Sequence, residues 1–277
     1  MKNVVVRTIS GVGFVLVILA CLLINRYLFA AFIILMMISM MHEFYRMTMG
    51  DLYRNSRIIA IATGVTLFLL IFFLQCYGLP AKFISCALVP LLVLMVYSLY
   101  EKDRENFGKF PFIYTGLLYI AAPLSLVNLL AFDSEGNFSA VLLLCFFIIN
   151  WGSDIGAFCF GTAFGQKEGR RKLFPSISPK KSWVGFWGGL FLALVFAAIL
   201  HFAGIFHFPL CHCLGLAVTI HIGGVYGDLF ESQWKRWCSV KDAGNIIPGH
   251  GGMLDRFDST IFAVCCAAIY LVVFNLF

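Results

Sequence analysis

Between Gly227 and Ser259 the chain reads GDLFESQWKRWCSVKDAGNIIPGHGGMLDRFDS, a polar interval with five carboxylates, four Lys or Arg and a Gly-His-Gly-Gly run at 249 to 252. Asp228, Glu231, Ser232 and Lys235 stand at i, i+3, i+4 and i+7, so a helix through them puts all four on one face. Asp255 and Asp258, three apart, form a second acidic group. Pro248, Gly249, Gly251 and Gly252 let the chain between the two groups fold back so that they meet. Oxygen-rich groups of this kind suit magnesium, which takes one or two carboxylates and completes its shell with substrate phosphates. Lys235, Arg236, Lys241 and Arg256 supply charge for a polyphosphate. The structural alternative is that Asp258 or Ser259 merely caps the helix that follows.

A second set of chemical residues lies upstream. Asn150, Trp151, Ser153 and Asp154 fall inside an apolar run that continues to Phe160. A carboxylate at that depth is costly, so Asp154 must face a bundle interior or an aqueous cavity and hold a partner. The basic loop after it ends in Ser178, Pro179, Lys180 and Lys181, placed to hold phosphates or to anchor a helix end at a membrane surface. Gly161, Gly165 and Lys167 lack the order of a Walker A loop. His42 and Glu43 are expected to reach the interface at the end of the second apolar run. The ten cysteines are scattered and show neither zinc-ribbon nor redox spacing. Cys211 and Cys213 flank His212, but nothing nearby completes a metal site.

The elements that must position these residues are hydrophobic. Of the 277 residues 61% are hydrophobic and 12% charged, which excludes a soluble domain. Apolar runs at 9–24, 27–45, 58–78, 83–100, 112–132, 138–160, 183–206, 209–230 and 260–277 mostly meet the length of about 20 residues that a spanning helix needs. The first resembles a signal peptide but lacks a cleavage site and reads as a span. The expected fold is therefore all-α, a polytopic integral membrane helix bundle of about nine transmembrane helices. With the N-terminus cytoplasmic and the C-terminus outside, eighteen of the twenty Lys and Arg fall on the cytosolic side, leaving Arg26 and Lys82. Both polar loops, 161–182 and 231–259, then face the cytosol, where nucleotides are found. The net charge of +6 largely reflects this topology. No repeat or linker divides the chain, which reads as one membrane domain with N-terminal helices over 1–110 and catalytic helices over 111–277.

Ser232, Lys235, Arg236, Lys241, Asp242, Pro248, His250, Gly251, Gly252, Asp255, Arg256 and Asp258 follow one another in an order and spacing that resembles the phosphatidate cytidylyltransferases, or CDP-diacylglycerol synthases. Gly227 to Glu231, Asp154 and Ile177 to Ser182 are similar to that family as well. The likeness is strong from about residue 150 onward and rests on hydrophobicity and length before it. One departure is Val184, where the family usually has Glu.

The resemblance implies an enzyme of phospholipid biosynthesis that makes CDP-diacylglycerol and pyrophosphate from CTP and phosphatidic acid. It implies a metal-dependent nucleotidyltransferase whose cofactor is Mg2+, as one ion or two. Asp228 and Asp255 would bind the metal, with Asp154 and Asp258 supporting it or orienting a lysine. Lys180, Lys181, Lys235, Arg236, Lys241 and Arg256 would hold the phosphates of CTP and lipid. Ser178, Ser232 and His250 belong to the substrate side, His250 either as a donor to phosphate or as a shaper of the turn. The partners expected are CTP, phosphatidic acid and membrane lipids, with no nucleic acid, and the sequence admits a homodimer. A cytosol-facing site suggests a bacterial inner membrane. The competing readings are a CTP-dependent polyprenol or phytol kinase, a secondary transporter, and a homologue that binds phosphatidate without turnover.

Overall fold

The computed structural model describes residues 2–276 apart from 134, 168–170 and 247–250, with the backbone alone for 2–10, 12 and 14. Long apolar helices dominate it. Helices α1 (Lys2–Ile24), α2 (Arg26–Met49) and α3 (Arg54–Tyr77) come first, followed by a 3-10 turn (Ala81–Ala87) that runs into α4 (Leu88–Ser98). Next is an apolar rod made of α5 (Pro111–Gly116), a π-helical turn (Leu117–Ala121) and α6 (Ala122–Ala131). Then come α7 (Val141–Phe164), a hairpin of β1 (Lys172–Phe174) and β2 (Ser178–Ser182), α8 (Trp183–Phe202), α9 (Leu210–Trp237) and α10 (Leu254–Val273). Among the described residues eight helices are long and apolar enough to cross a membrane, and α1 adds a further 23-residue helix. The chain is an integral membrane protein.

Turn chemistry sets the breaks between helices. Asn25 caps α2, its side chain accepting from the Tyr27 amide at 2.6 Å. Gly50, at φ +63°, ends the same helix and donates its amide to the Arg46 carbonyl. Gly78 ends α3 in the left-handed region and leads into Pro80, which cannot continue a helix.

The chain forms two compact units, one of residues 1–138 and 238–257, the other of 139–237 and 258–277. In the first unit Met36, Met37, Met40, Met41, Phe44 and Tyr45 of α2 are fully buried. Gly64 of α3 lies so close that a Cβ there would stand 2.8 Å from that of Ala121 and near the sulfurs of Met41 and Met37. Tyr45 crosses over Gly116 and donates its hydroxyl to the Ile113 carbonyl at 2.8 Å. Leu88, Val89, Leu92, Val93 and Val96 of α4 face outward, the side that lipid covers.

In the second unit small residues replace bulky ones at the helix contacts. A Cβ on Gly156 of α7 would stand 2.5 Å from the Gly188 carbonyl of α8, and Gly161 approaches Gly185. Gly223 of α9 meets Ala263 of α10, and a Cβ on Gly227 would stand 2.6 Å from the Asp258 carbonyl. Backbones packed this closely gain dispersion contacts and keep lipid out, which drives helix association where water cannot. The Ser153 hydroxyl and His221 Nδ1, 2.7 Å apart and both buried, add a polar tie between α7 and α9.

Three boundaries differ from those read in the sequence. The helix expected to stop at 230 runs to Trp237, carried on by the Glu231–Lys235 ion pair at i and i+4. The last helix begins at Leu254 rather than 260, so Asp255, Asp258 and Ser259 lie within it and neither Asp258 nor Ser259 caps it. The loop expected over 161–182 starts as the end of α7 and closes as a hairpin with Lys172 opposite Ser182 and Phe174 opposite Ser178.

Gly156→Val is expected to cost about 1–3 kcal/mol of stability, as overpacking does in other cores. A lowered unfolding midpoint in detergent would show it, with Gly108→Ala unchanged because nothing lies within 4 Å of that position.

Candidate active site

Within the second unit α7, the hairpin, α8, α9 and α10 enclose a cavity of about 500 Å3. Asp154, Lys180, Lys181, Ser182, Asp228, Asp258 and Ser259 line it together with Phe158, Leu173 and Phe186. Polar groups therefore share one chamber with an apolar wall.

The hairpin delivers the lysines. Gln166, just past α7, donates to the Lys180 carbonyl at 2.7 Å and accepts from Lys172 Nζ at 2.7 Å, which fixes β2 against the end of α7. Gly165 leaves room for Ser182, whose hydroxyl any Cβ there would overlap. Ser182 is the N-cap of α8 and accepts from the Gly185 amide at 3.2 Å. Lys181 is thus held one residue before a helix N-terminus, where the macrodipole adds positive potential.

From this position Lys181 Nζ reaches Asp228 Oδ2 at 2.6 Å and also the Val225 carbonyl at 3.4 Å. Asp228 is 36% exposed, accessible from the cavity, and its other oxygen accepts from Ser232 at 3.3 Å. Asp154 opens onto the same cavity and accepts from the Ser259 hydroxyl at 3.3 Å. Ser259 in turn accepts from Asn150 Nδ2 at 3.1 Å, and its amide donates to Asp258 Oδ1 at 2.7 Å. Asp228 lies within electrostatic range of both Asp154 and Asp258. One turn further along α9, Lys235 pairs at 2.7 Å with the fully buried Glu231.

The cavity therefore brings together five residues expected from the sequence, Asp154, Lys180, Lys181, Asp228 and Asp258. Ser232 and Lys235 follow Asp228 on α9 as the helical spacing indicates, Ser232 bonded to Asp228 and Lys235 to Glu231. Arg236 is exposed near the end of that helix. Ser178 does not line the cavity; it pairs with Phe174 at the turn end of the hairpin. Val184 sits in the first turn of α8, which carries no acidic residue.

Asp255, Lys241 and Arg256 belong to the first unit. Asp255 Oδ2 accepts from the amides of Ala243 at 2.9 Å and Gly252 at 2.8 Å, clamping the chain ahead of α10. Lys241 and Arg256 are exposed. His250, Pro248 and Gly249 lie outside the described residues.

Sequence reasoning missed several supporting groups. Asn150 was legible, standing one turn before Asp154 on the same helix face, but its partner Ser259 was not. Gln166 carried no signal apart from the fold, and Ser182 stood out only through the likeness of Ile177 to Ser182 to the family. Glu43 was expected at the interface; it is instead 4% exposed and bound to backbone amides, while its neighbour His42 faces out.

Among the described residues no three His, Cys, Asp or Glu side chains converge tightly enough to hold a metal ion by themselves. The donors on the cavity wall are carboxylate oxygens, which fit magnesium and not a thiolate- or imidazole-seeking metal.

Comparison with known proteins identifies the family. A family model described as "Cytidylyltransferase family" matches residues 5–274. The chain is 30% identical over 280 residues to the phosphatidate cytidylyltransferase of Bacillus subtilis, covering 97% of this chain and 98% of that one. It is 35% identical over 181 residues to the protein of the same name from Staphylococcus aureus strain COL, covering 65% of this chain and 66% of the other. The match runs through the apolar N-terminal helices as well as the cavity and the polar segment after α9, and the chain belongs to the cytidylyltransferase family.

Proposed function

We propose that this chain is a phosphatidate cytidylyltransferase, joining CTP and phosphatidic acid into CDP-diacylglycerol with release of pyrophosphate. The observation that carries the reading is the cavity in which Lys180, Lys181 and three aspartates share walls with Phe158, Leu173 and Phe186. Such a chamber suits a substrate with a polyanionic head and hydrocarbon tails. On this reading the protein sits in a bacterial inner membrane with the cavity open to the cytosol; what supports it is that most Lys and Arg fall on that side of the proposed topology.

In this reaction a phosphatidate oxygen attacks the α-phosphorus of CTP and the bond to the β-phosphate oxygen breaks, releasing pyrophosphate. The nucleophile is already an anion near neutral pH, so no strong base is needed. Positioning and charge neutralisation supply the catalysis. Lys180 and Lys181 offset the phosphate charge. Lys181 and Asp228 pair at 2.6 Å; a bound phosphate would compete for the ammonium and leave the Asp228 carboxylate able to hold a cation. Asp228 and Asp258 would hold Mg2+ together with nucleotide phosphates, as a site short of protein ligands requires. Bound there, the ion would supply positive charge to the phosphoryl oxygens as a Lewis acid. Asp154, fixed by Ser259 and Asn150, limits where the lysines and the cation can settle. Asp255, Arg256 and Lys241 are assigned to the same reaction from their likeness to the family's signature alone, Asp255 ordering the backbone ahead of α10 and the two bases carrying charge.

Purified protein in mixed micelles with CTP, Mg2+ and phosphatidate is expected to yield CDP-diacylglycerol and pyrophosphate in equal amounts. EDTA should stop the reaction and added Mg2+ restore it; product no higher than in a protein-free blank would overturn the reading. Asp228→Asn is expected to lower kcat by about 100-fold or more, as loss of a group stabilising transition-state charge does elsewhere. Retention of most activity would remove Asp228 from the site. Lys181→Ala should raise KM for CTP as well as lower kcat, in steady-state assays at saturating lipid.

A further inference from the structure

Helix α10 begins at Leu254, preceded by Met253, whose side chain has no oxygen to offer the first-turn amides. The acceptor comes from α2, more than two hundred residues earlier. Glu43 Oε1 accepts from the Met253 amide at 3.0 Å and Oε2 from the Leu254 amide at 2.8 Å. The loop ahead of the helix is shaped to this carboxylate. A Cβ on Gly252 would stand 2.6 Å from Oε2, and one on Gly244 would overlap Oε1. Asp255, one residue past Leu254, takes the amides of Gly252 and Ala243 on its Oδ2. Two carboxylates close enough to repel thus divide one run of amides, Glu43 taking 253 and 254 and Asp255 taking 252 and 243.

Burying a carboxylate costs several kcal/mol unless hydrogen bonds and a favourable field compensate. Both are present here, because the amides are those of a helix N-terminus. A helix that needed only a cap could take Ser, Asn or Asp at residue 253. Capping from α2 instead fixes the start of α10 relative to a second helix of the same unit.

We infer that Glu43 is a positioning residue: by holding the Met253 and Leu254 amides it fixes the turn that presents Asp255 and Arg256. The inference rests on the reading that this segment serves cytidylyl transfer. Glu43 touches no reacting atom. Glu43→Gln keeps the shape but turns an N–H donor toward an amide that needs an acceptor, so the turn is released without a cavity being opened.

The test is a double-variant cycle on the full-length protein in mixed micelles with CTP, Mg2+ and phosphatidate. Glu43→Gln is expected to lower kcat about 30-fold with KM for phosphatidate within about threefold, and Glu43→Asp to recover part of the loss. Combined with Asp255→Asn, the Glu43→Gln change should add little further loss, because both act through one turn. Additive losses, or a fall in folded protein with unchanged kcat per folded molecule, would overturn the positioning role. Gly244→Ala displaces the carboxylate while keeping its charge and should also lower kcat; it decides the matter should Glu43→Gln not fold. Absence of wild-type turnover would overturn the functional reading itself and this inference with it, whereas an active wild type with an equally active Glu43→Gln would overturn this inference alone.

Discussion

Charge in an apolar bundle must be paired, and the pairing of Lys181 with Asp228 is the constraint from which the architecture of the cavity follows. A pair at 2.6 Å still exposed to the cavity can be opened by a ligand that offers each partner a better one. On the proposed reading, a nucleotide phosphate and a divalent cation would do so together. Around this pair several polar groups are tied to close neighbours. Asn150 and Ser259 hold Asp154, the Ser259 amide holds Asp258, and Lys235 neutralises Glu231.

Such a pair forms only if a lysine before α8 and an aspartate on α9 are brought within a few ångströms, which the glycines of the second unit permit. Gly156 and Gly161 let α7 lie backbone to backbone with α8, and Gly223 and Gly227 do the same for α9 and α10. The hairpin is tied through β2 at Lys180 and at Ser182. Gln166 ties β2 to the end of α7, and Ser182 both ends the strand and caps α8, so the lysines leave the sheet at one fixed point. Packing and chemistry are in this sense the same arrangement.

Much of this is legible in the amino-acid sequence. Period and length mark the helices, and the spacing of Asp228, Glu231, Ser232 and Lys235 marks the face of α9, because those signals are local. The expected boundaries fail where a partner outside the local pattern intervenes. Trp237 ends α9 because Glu231 and Lys235 carry the helix on, and Leu254 starts α10 because Glu43 of α2 caps it. Glu43 itself is misread for the same reason: a carboxylate near a helix end looks interfacial until its amide partners are known. The hairpin is hidden because the run from Lys172 to Ser182 is basic and short, with no alternation to betray a strand.

The account turns on which phosphorus of CTP is attacked. A cavity that neutralises a triphosphate beside an apolar wall could serve transfer of a cytidylyl group or of a terminal phosphate, and the choice is fixed by where the lipid oxygen meets the chain of phosphates. Incubation with phosphatidate and CTP labelled separately at the α- and γ-phosphates measures this directly. α-Label is expected in the lipid fraction and γ-label wholly in pyrophosphate; γ-label in the lipid, with CDP as the other product, would overturn cytidylyl transfer.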